Sequence, residues 1–203
     1  MGRLFISCIS ILLLAGCSGL QNLGSHSNST EISVEFSEPN QVQFQGKGAG
    51  AGIALMATMG PVGIALGVAI DEGIAKDIRK AVAKEEGDIK VYVAGMVTSK
   101  IEEQGYSVAV SQEEPTYPII TIKRYGFKII NGSTDATVAE WDIEIELEPG
   151  KKVNVHYPKD FNKDSTKTYL LADLKKDGKL GAELLTESLA RVLGSEMLNL
   201  KAR

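Results

Sequence analysis

Hydrophobic positions in the second half of the chain alternate with polar ones and predict a meander of strands. The segment from Pro118 to Ile130 is rich in Ile, Tyr and Phe, and Asn131-Gly132 is a typical hairpin turn. Val138 to Glu148 returns, Pro149-Gly150 turns again, and Lys151 to Val155 makes a short third strand. The pattern therefore predicts three consecutive antiparallel strands.

The middle strand of this meander has two chemically distinct faces. A period of two places its apolar residues on one side, predicted to be core, and its acids on the other: Trp141, Ile143, Ile145 and Leu147 against Glu140, Asp142, Glu144, Glu146 and Glu148. The acids of such a row repel one another unless cations on the neighbouring strands pair with them. The candidates are Lys123, Arg124, Lys128, Lys151 and Lys152. The alternative is a docking face for a basic partner, or a weak cation site.

Helical periodicity appears in two further regions. In residues 88 to 105 every fourth residue is apolar (Ile89, Val93, Val97 and Ile101), and the pattern ends at Gly105. The β-branched residues at its start could also begin a strand. Residues 169 to 200 predict a helix broken near Gly178, with an apolar stripe of Leu185, Leu189, Val192 and Leu198.

Short alternating runs near the start of the mature chain complete the pattern. Ile32, Val34 and Phe36 alternate with polar residues, as do Val42 and Phe44, which predicts a small hairpin or two short strands. A strand from Tyr106 to Val110 follows the 88–105 helix. The order of elements predicts an α+β fold, with an antiparallel sheet and helices packed on one of its faces.

The most unusual segment is an uncharged run of glycine, alanine and aliphatic residues at 48–70, between Lys47 and Asp71. Its glycines recur at fourfold spacing, which allows a second backbone to approach one helix face closely. Pro61 interrupts the run and predicts a turn or kink at Met59-Gly60-Pro61. Beyond it a helix continues, with Ile70, Ile74, Ile78 and Val82 on one stripe.

Three interpretations of residues 48–70 remain open. The run could be a single membrane span, a helical hairpin that dips into a membrane or joins neighbouring copies, or a closely packed hairpin inside the fold. Under the second interpretation, the residues expected to mediate membrane contact or self-association are Gly46, Gly48, Gly50, Gly52, Gly60, Gly63 and Gly67. Residues 46–73 are also similar to glycine-zipper lipoproteins.

The first residues have the form of a secretory signal. Arg3 is followed by the apolar run Leu4 to Leu14, and then by small residues and a cysteine. The ending Leu14-Ala15-Gly16-Cys17 resembles the lipobox of bacterial lipoproteins. That resemblance implies cleavage before Cys17, lipid on its thiol and, since Ser18 follows, an outer-membrane location. An ordinary signal peptide is the alternative.

These observations divide the chain into five predicted parts. Residues 1–16 are the signal, 17–30 the lipidated end and a Ser-, Gly- and Asn-rich tether, and 31–47 short strands. The glycine-rich hairpin and the helix after it occupy 48–86, and the α+β domain occupies 87–203.

Composition limits the partners and the catalytic groups that the sequence can supply. The chain has 22 basic and 26 acidic side chains, and a mildly acidic body argues against nucleic acid as a partner. Removal of the signal takes Cys8 away and lipidation consumes Cys17, so no thiol remains for catalysis, disulfides or metals. Only His26 and His156 are present, and no nucleophile or phosphate-loop motif occurs. We therefore predict no catalytic residue, cofactor or metal site.

The helix that ends at Gly105-Tyr106 and is followed by a strand resembles periplasmic transport-auxiliary and curli-secretion lipoproteins, over residues 74–200. The expected function is that of a non-enzymatic outer-membrane lipoprotein, facing the periplasm, that serves as a structural or assembly component of an envelope complex. Its expected partners are the membrane, through Cys17, and a protein partner or further copies of itself. The alternative is a periplasmic module that presents a lipid or another hydrophobic ligand to a transport system.

Overall fold

A computed structural model of the chain describes residues 30–109, 116–130, 133–161 and 166–201. Cys17, the tether up to residue 29 and the Asn131-Gly132 turn lie outside them. The strands are β1 Glu31–Phe36, β2 Gln43–Gln45, β3 Ser107–Val108, β4 Ile119–Ile129, β5 Ala136–Glu148, β6 Lys151–Tyr157 and β7 Tyr169–Leu170. The helices are α1 Lys47–Met59, α2 Pro61–Glu86, α3 Ile89–Glu103, α4 Leu171–Lys176 and α5 Gly178–Lys201.

The predicted α+β class is confirmed, but the prediction of an antiparallel sheet is wrong. The sheet has the order β3-β1-β4-β5-β6, with β2 also on β4 and β7 also on β5. The β4–β5–β6 meander is antiparallel as predicted, whereas β1 and β2 both run parallel to β4. Three helices intervene between β2 and β4, and such a long crossover lets the chain return in its original direction.

The two short early strands lie end to end along one edge of β4, rather than as a hairpin. β1 pairs with Ile119 to Ile122, and β2 pairs with Gly126 to Lys128. Gly126 has φ +153, and a Cβ atom there would overlap the carbonyl oxygen of Gln43. Glycine is therefore what lets β2 approach β4 so closely.

The predicted cross-strand ion pairs of the acid face are confirmed. Lys123 and Lys152 both pair with Glu144, and Arg124 and Lys128 both pair with Glu140. The hydrogen bond from Lys123 is the main reason that the pKa of Glu144 lies below its ordinary value.

A register irregularity between Ile122 and Arg124 explains how two consecutive cations can both pair with the acidic face of β5. At a bulge the strict alternation of side chains is interrupted, so both Lys123 and Arg124 pair with acids of β5. Lys151, the fifth candidate, lies opposite Glu148 in the register.

Helix α3 confirms the helical interpretation of residues 88–105. Asp88 caps it, because its Oδ1 accepts hydrogen bonds from the backbone N–H groups of Lys90 and Val91. Val93, Val97 and Ile101 are fully buried. Gly105 follows with φ +85, as expected for a helix stop.

The C-terminal helical region is broken where predicted, between α4 and α5. Its first residues, Tyr169 and Leu170, form β7 instead of helix. A Cβ atom on Gly178 would overlap the backbone carbonyl of Ala81, so the start of α5 lies directly against α2. Leu185, Leu189 and Val192 are buried.

Helix α5 packs on the apolar face of the sheet, and a buried hydrogen bond joins the two. Trp141 is fully buried, and its Nε1–H donates to Ser188 Oγ at 2.8 Å. Ser188 Oγ in turn donates toward the carbonyl oxygens of Leu184 and Leu185. Tyr125 stacks on Trp141 with ring centroids 5.6 Å apart. Trp141, Ile143 and Ile145 are therefore core, as predicted, and Leu147 packs against it only partly buried.

We predict that Ser188→Ala lowers the free energy of unfolding by about 1–3 kcal/mol, since it leaves the buried indole N–H without an acceptor. Urea unfolding followed by Trp141 fluorescence measures this. The control is Ser99→Ala, at an exposed position of α3, which should change stability by no more than about 0.5 kcal/mol. Equal stability of the two variants would contradict the assigned role of Ser188.

Candidate functional site

The uncharged glycine-rich run folds into two antiparallel helices, which we call the glycine hairpin (residues 47–70). Helix α1 ends at Met59, Gly60 turns the chain with φ +60, and Pro61 begins α2. Proline is well suited to this first helical position, where its missing N–H would have no partner. The predicted turn at Met59-Gly60-Pro61 is confirmed, so residues 48–70 do not form one continuous helix.

Four glycines bring the two helices of the hairpin into backbone contact. A Cβ atom on Gly67 would overlap the carbonyl oxygen of Gly48 and lie 2.9 Å from Gly52 Cα. One on Gly63 would lie 2.6 Å from the backbone nitrogen of Met56. Both distances are shorter than a carbon contact allows, so the glycine faces pack against each other within the chain.

The other three predicted glycines lie outside the contact between the two helices. Gly60 forms the turn, and Gly46, at φ +131, lies against Ile129 at the end of β4. Gly50 faces open space, because an added Cβ would meet no atom within 4 Å. Cys17, the predicted lipidation site, lies outside the described residues.

Charged groups at 47 and 71 hold the base of the hairpin. Asp71 of α2 accepts hydrogen bonds from the backbone N–H groups of Gly46 (3.2 Å) and Gly48 (2.6 Å), and so caps α1 from the neighbouring helix. Lys47 Nζ pairs with Asp135 at 2.8 Å. Polar contacts thus fasten the hairpin to the body at the point where its apolar run begins.

The outer surface of the glycine hairpin is apolar. Among the described residues, eight of the eleven large hydrophobic side chains that are exposed belong to it, with exposed fractions between 41% and 73%. They are Ile53, Met56, Met59, Val62, Ile64, Leu66, Val68 and Ile70. Helix α2 then enters the core, where Ile78 and Val82 of the same predicted stripe are fully buried.

This apolar surface surrounds the hairpin instead of following one stripe. At roughly 100° per residue, Val62, Leu66 and Ile70 lie on one side of the buried Gly63–Gly67 line, and Ile64 and Val68 lie on the other. No charged side chain falls between Gly48 and Ile70. The exposed half of α2 therefore has no polar face.

Beside the hairpin runs a groove of about 640 Å³. One wall is the apolar flank of the hairpin, and the other is the segment from Pro39 to Gln45, including β2. Asp71 and Glu72 line its inner end. Sequence reasoning missed this groove, although the alternation Gln41-Val42-Gln43-Phe44-Gln45 carried a signal: Val42 and Phe44 are buried, and all three glutamines line the groove.

The groove wall is fixed to the body by two polar contacts. Arg79 donates to the carbonyl oxygen of Val42 at 2.7 Å and also pairs with Glu72. Tyr125 donates its hydroxyl to Asn40 at 2.9 Å. Burial, together with the charge of Asp88, raises the pKa of Tyr125 to about 12, so its O–H stays protonated as a donor.

His156, the one histidine among the described residues, does not line the groove. His156 lies on the acid face, with Nδ1 3.2 Å from Asp142. Within the described residues no group of three or more His, Cys, Asp or Glu side chains could hold a metal ion. No helix in the same part of the chain combines the length and apolarity needed to cross a bilayer.

Comparisons with known proteins do not assign the chain to a family. No protein-family model matches the sequence, and no curated protein matches it significantly. The hairpin and its groove must therefore be interpreted from their own geometry.

We predict that Gly67→Ala opens the glycine hairpin and destabilises the protein by about 1–3 kcal/mol, because the new methyl group overlaps the backbone of α1. Hydrogen exchange of the α1 amides, measured with the unfolding free energy, reports both effects. Gly50→Ala is the matched control: it adds the same methyl group into open space and should stabilise α1 by about 0.5–1 kcal/mol. Protection of α1 in Gly67→Ala equal to that in the native chain would refute the close packing.

Proposed function

We propose that this protein is a non-enzymatic lipoprotein of the bacterial outer membrane, and that its glycine hairpin makes a second contact with the bilayer. The observation that carries the proposal is that residues 48–70 carry no charge while the hairpin exposes eight large hydrophobic side chains. Exposed apolar surface on this scale marks an interaction site. In the proposed role the protein is a structural or assembly component of an envelope complex, with its domain facing the periplasm.

The distribution of apolar residues favours lipid over a protein partner. A helix that docks on a protein, or lies flat in a membrane interface, presents one apolar stripe and keeps a polar face for water. The exposed half of α2 has apolar side chains on both sides of its glycine line. Removing such a surface from water is favourable on every side only when an apolar phase surrounds it.

The dimensions of the hairpin suit one leaflet. Its 13-residue first helix is about 20 Å long at 1.5 Å per residue. Half of a hydrocarbon core is about 15 Å, so the Gly60 turn would reach the middle of the bilayer. Lys47 and Asp71 would then lie at the level of the headgroups.

The backbone at the tip is compatible with an apolar environment, where unpaired polar groups are costly. Gly60 N–H donates to Met56 O at 2.9 Å, and Gly63 N–H donates to Gly60 O at 3.0 Å. Pro61 has no N–H to satisfy, and Thr58 donates its hydroxyl to Leu55 O. The turn thus satisfies much of its own hydrogen-bonding capacity.

Self-association through the glycines is less well supported than membrane contact. Gly48, Gly52, Gly63 and Gly67 already face one another inside one chain. A second copy could use those faces only if the hairpin opened. The outer aliphatic residues remain available, so we assign the contact to them.

The lipid anchor rests on the sequence Leu14-Ala15-Gly16-Cys17. Each buried acyl methylene contributes about 0.8 kcal/mol, so the several acyl chains of a lipoprotein cysteine anchor firmly by themselves. In the proposed arrangement the hairpin adds a second membrane contact to the lipid on Cys17.

A depth measurement tests the proposal. In a mature chain that starts at residue 17 and carries Cys17→Ser, single cysteines at Met59 (M59C) or Val91 (V91C) carry an environment-sensitive fluorophore. Both parent side chains are exposed, at 48% and 70%, but Val91 lies on α3 of the body. With vesicles, we expect a blue shift and quenching by acyl-chain nitroxides at position 59, and neither effect at position 91.

Two outcomes would overturn membrane contact. One is an aqueous signal at both positions in the presence of vesicles. The other is a blue shift at position 59 that depends on protein concentration and needs no lipid, which would assign the hairpin to contact between copies.

The groove supports a second candidate function, that of a module presenting a lipid or another hydrophobic ligand to a transport system. Its volume of about 640 Å³ falls within the range of small-molecule sites, about 300–1,000 Å³. Release of a bound lipid on solvent extraction of the purified protein would favour this candidate over a purely structural role.

A further inference from the structure

We infer that the groove beside the glycine hairpin holds one phospholipid whose headgroup carries a primary ammonium, as in phosphatidylethanolamine. The inference rests on the proposed insertion of the hairpin, since insertion brings the groove to the membrane surface. Three properties of the groove support it: the sign of its charge, the chemistry of its outer wall, and its continuity with the apolar surface.

The charged residues that line the groove are both acidic. Asp71 and Glu72 stand at its inner end, and no lysine or arginine is among the lining residues. Asp71 is held in place by the two backbone N–H groups that it caps, and Glu72 is held by Arg79. Arg79 neutralises the charge of Glu72, whereas Asp71 accepts only from backbone N–H groups among the contacts of the described residues. Asp71 is therefore the carboxylate that attracts a cation and repels the net negative charge of anionic lipids.

The wall opposite the hairpin offers both donors and acceptors. Gln41, Gln43 and Gln45 each carry a carbonyl oxygen and an NH₂ group, and all three line the groove. Amide NH₂ groups can donate to phosphate and ester oxygens, and amide oxygens can accept from an ammonium N–H. A choline headgroup has no N–H to donate, so this wall and the Asp71 carboxylate discriminate in favour of ethanolamine.

The apolar wall is continuous with the surface proposed to enter the membrane. Ile53, Met56, Ile64 and Val68 line the groove and belong to the eight exposed large hydrophobic side chains of the hairpin. An acyl chain lying along them would leave the groove and pass into the bilayer without crossing polar surface. An extended peptide would find no such continuation, which is why a lipid is the preferred occupant.

The test uses the mature chain, residues 17–203 with Cys17→Ser, labelled through M59C. It is titrated with vesicles of phosphatidylcholine alone, or with an equal share of phosphatidylethanolamine or phosphatidylglycerol. The fluorescence change at position 59 gives the apparent partition coefficient. We expect phosphatidylethanolamine to raise it at least threefold over phosphatidylcholine, and phosphatidylglycerol to leave it unchanged or lower it.

Two variants separate recognition by the groove from a general effect of ethanolamine on bilayer packing. D71N removes the lining carboxylate that has no ion pair, keeps an acceptor oxygen for the α1 cap, and should abolish the preference. E86Q, at the exposed end of α2, should keep it. The quantity that decides is therefore the lipid preference of D71N relative to that of E86Q.

The outcomes distinguish the two proposals. Insertion at position 59 with equal preference in D71N and E86Q, or with a preference for phosphatidylglycerol, overturns the groove assignment and leaves the proposed function standing. Absence of insertion into every vesicle overturns the proposed function, and the groove assignment fails with it.

Discussion

Close backbone packing along α2 is the constraint on which the rest of the structure depends. Near its start, Gly63 and Gly67 admit α1 to within contact of the main chain, and near its end Ala81 is met by Gly178 of α5. Side chains at these crossing points would push the helices apart, since the interior leaves no room for them. One rigid helix of 26 residues, about 39 Å long, therefore connects the exposed hairpin to the buried core.

The same helix has to suit two environments, and its sequence changes accordingly. From Pro61 to Ile70 it is uncharged and apolar on every exposed side, and from Asp71 onward it carries charges outward and a narrow stripe of buried residues inward. Asp71 is the residue at which the helix changes from one environment to the other: it caps α1 and is also the first charged residue after the apolar run. The polar contacts at this level fix the hairpin relative to β2, and so also give the groove its shape.

Much of the fold could be predicted because periodicity reports local structure and burial. Fourfold spacing located α3, twofold spacing located β4 to β6, and Pro61 located the turn of the hairpin. Strand direction was not predictable in this way: β1 alternates identically whether it pairs parallel or antiparallel, and the partner is chosen by contacts far along the chain. The glycines were recognised, but spacing alone could not say whether their partner was a lipid, another copy or the adjacent helix. The groove was missed because its walls come from segments that only the tertiary fold brings together.

The register of β4 has a further consequence, for orientation. Thr30, where the described chain starts, lies beside Ser107 at the end of the sheet near Ile119, whereas Gly46 lies against Ile129 at the other end. Ten residue steps of strand, about 33 Å, separate these two ends. A domain held at one point tumbles freely above a surface. In the proposed arrangement, attachment near both ends would favour a domain that lies lengthwise along the membrane and presents one flank to approaching molecules.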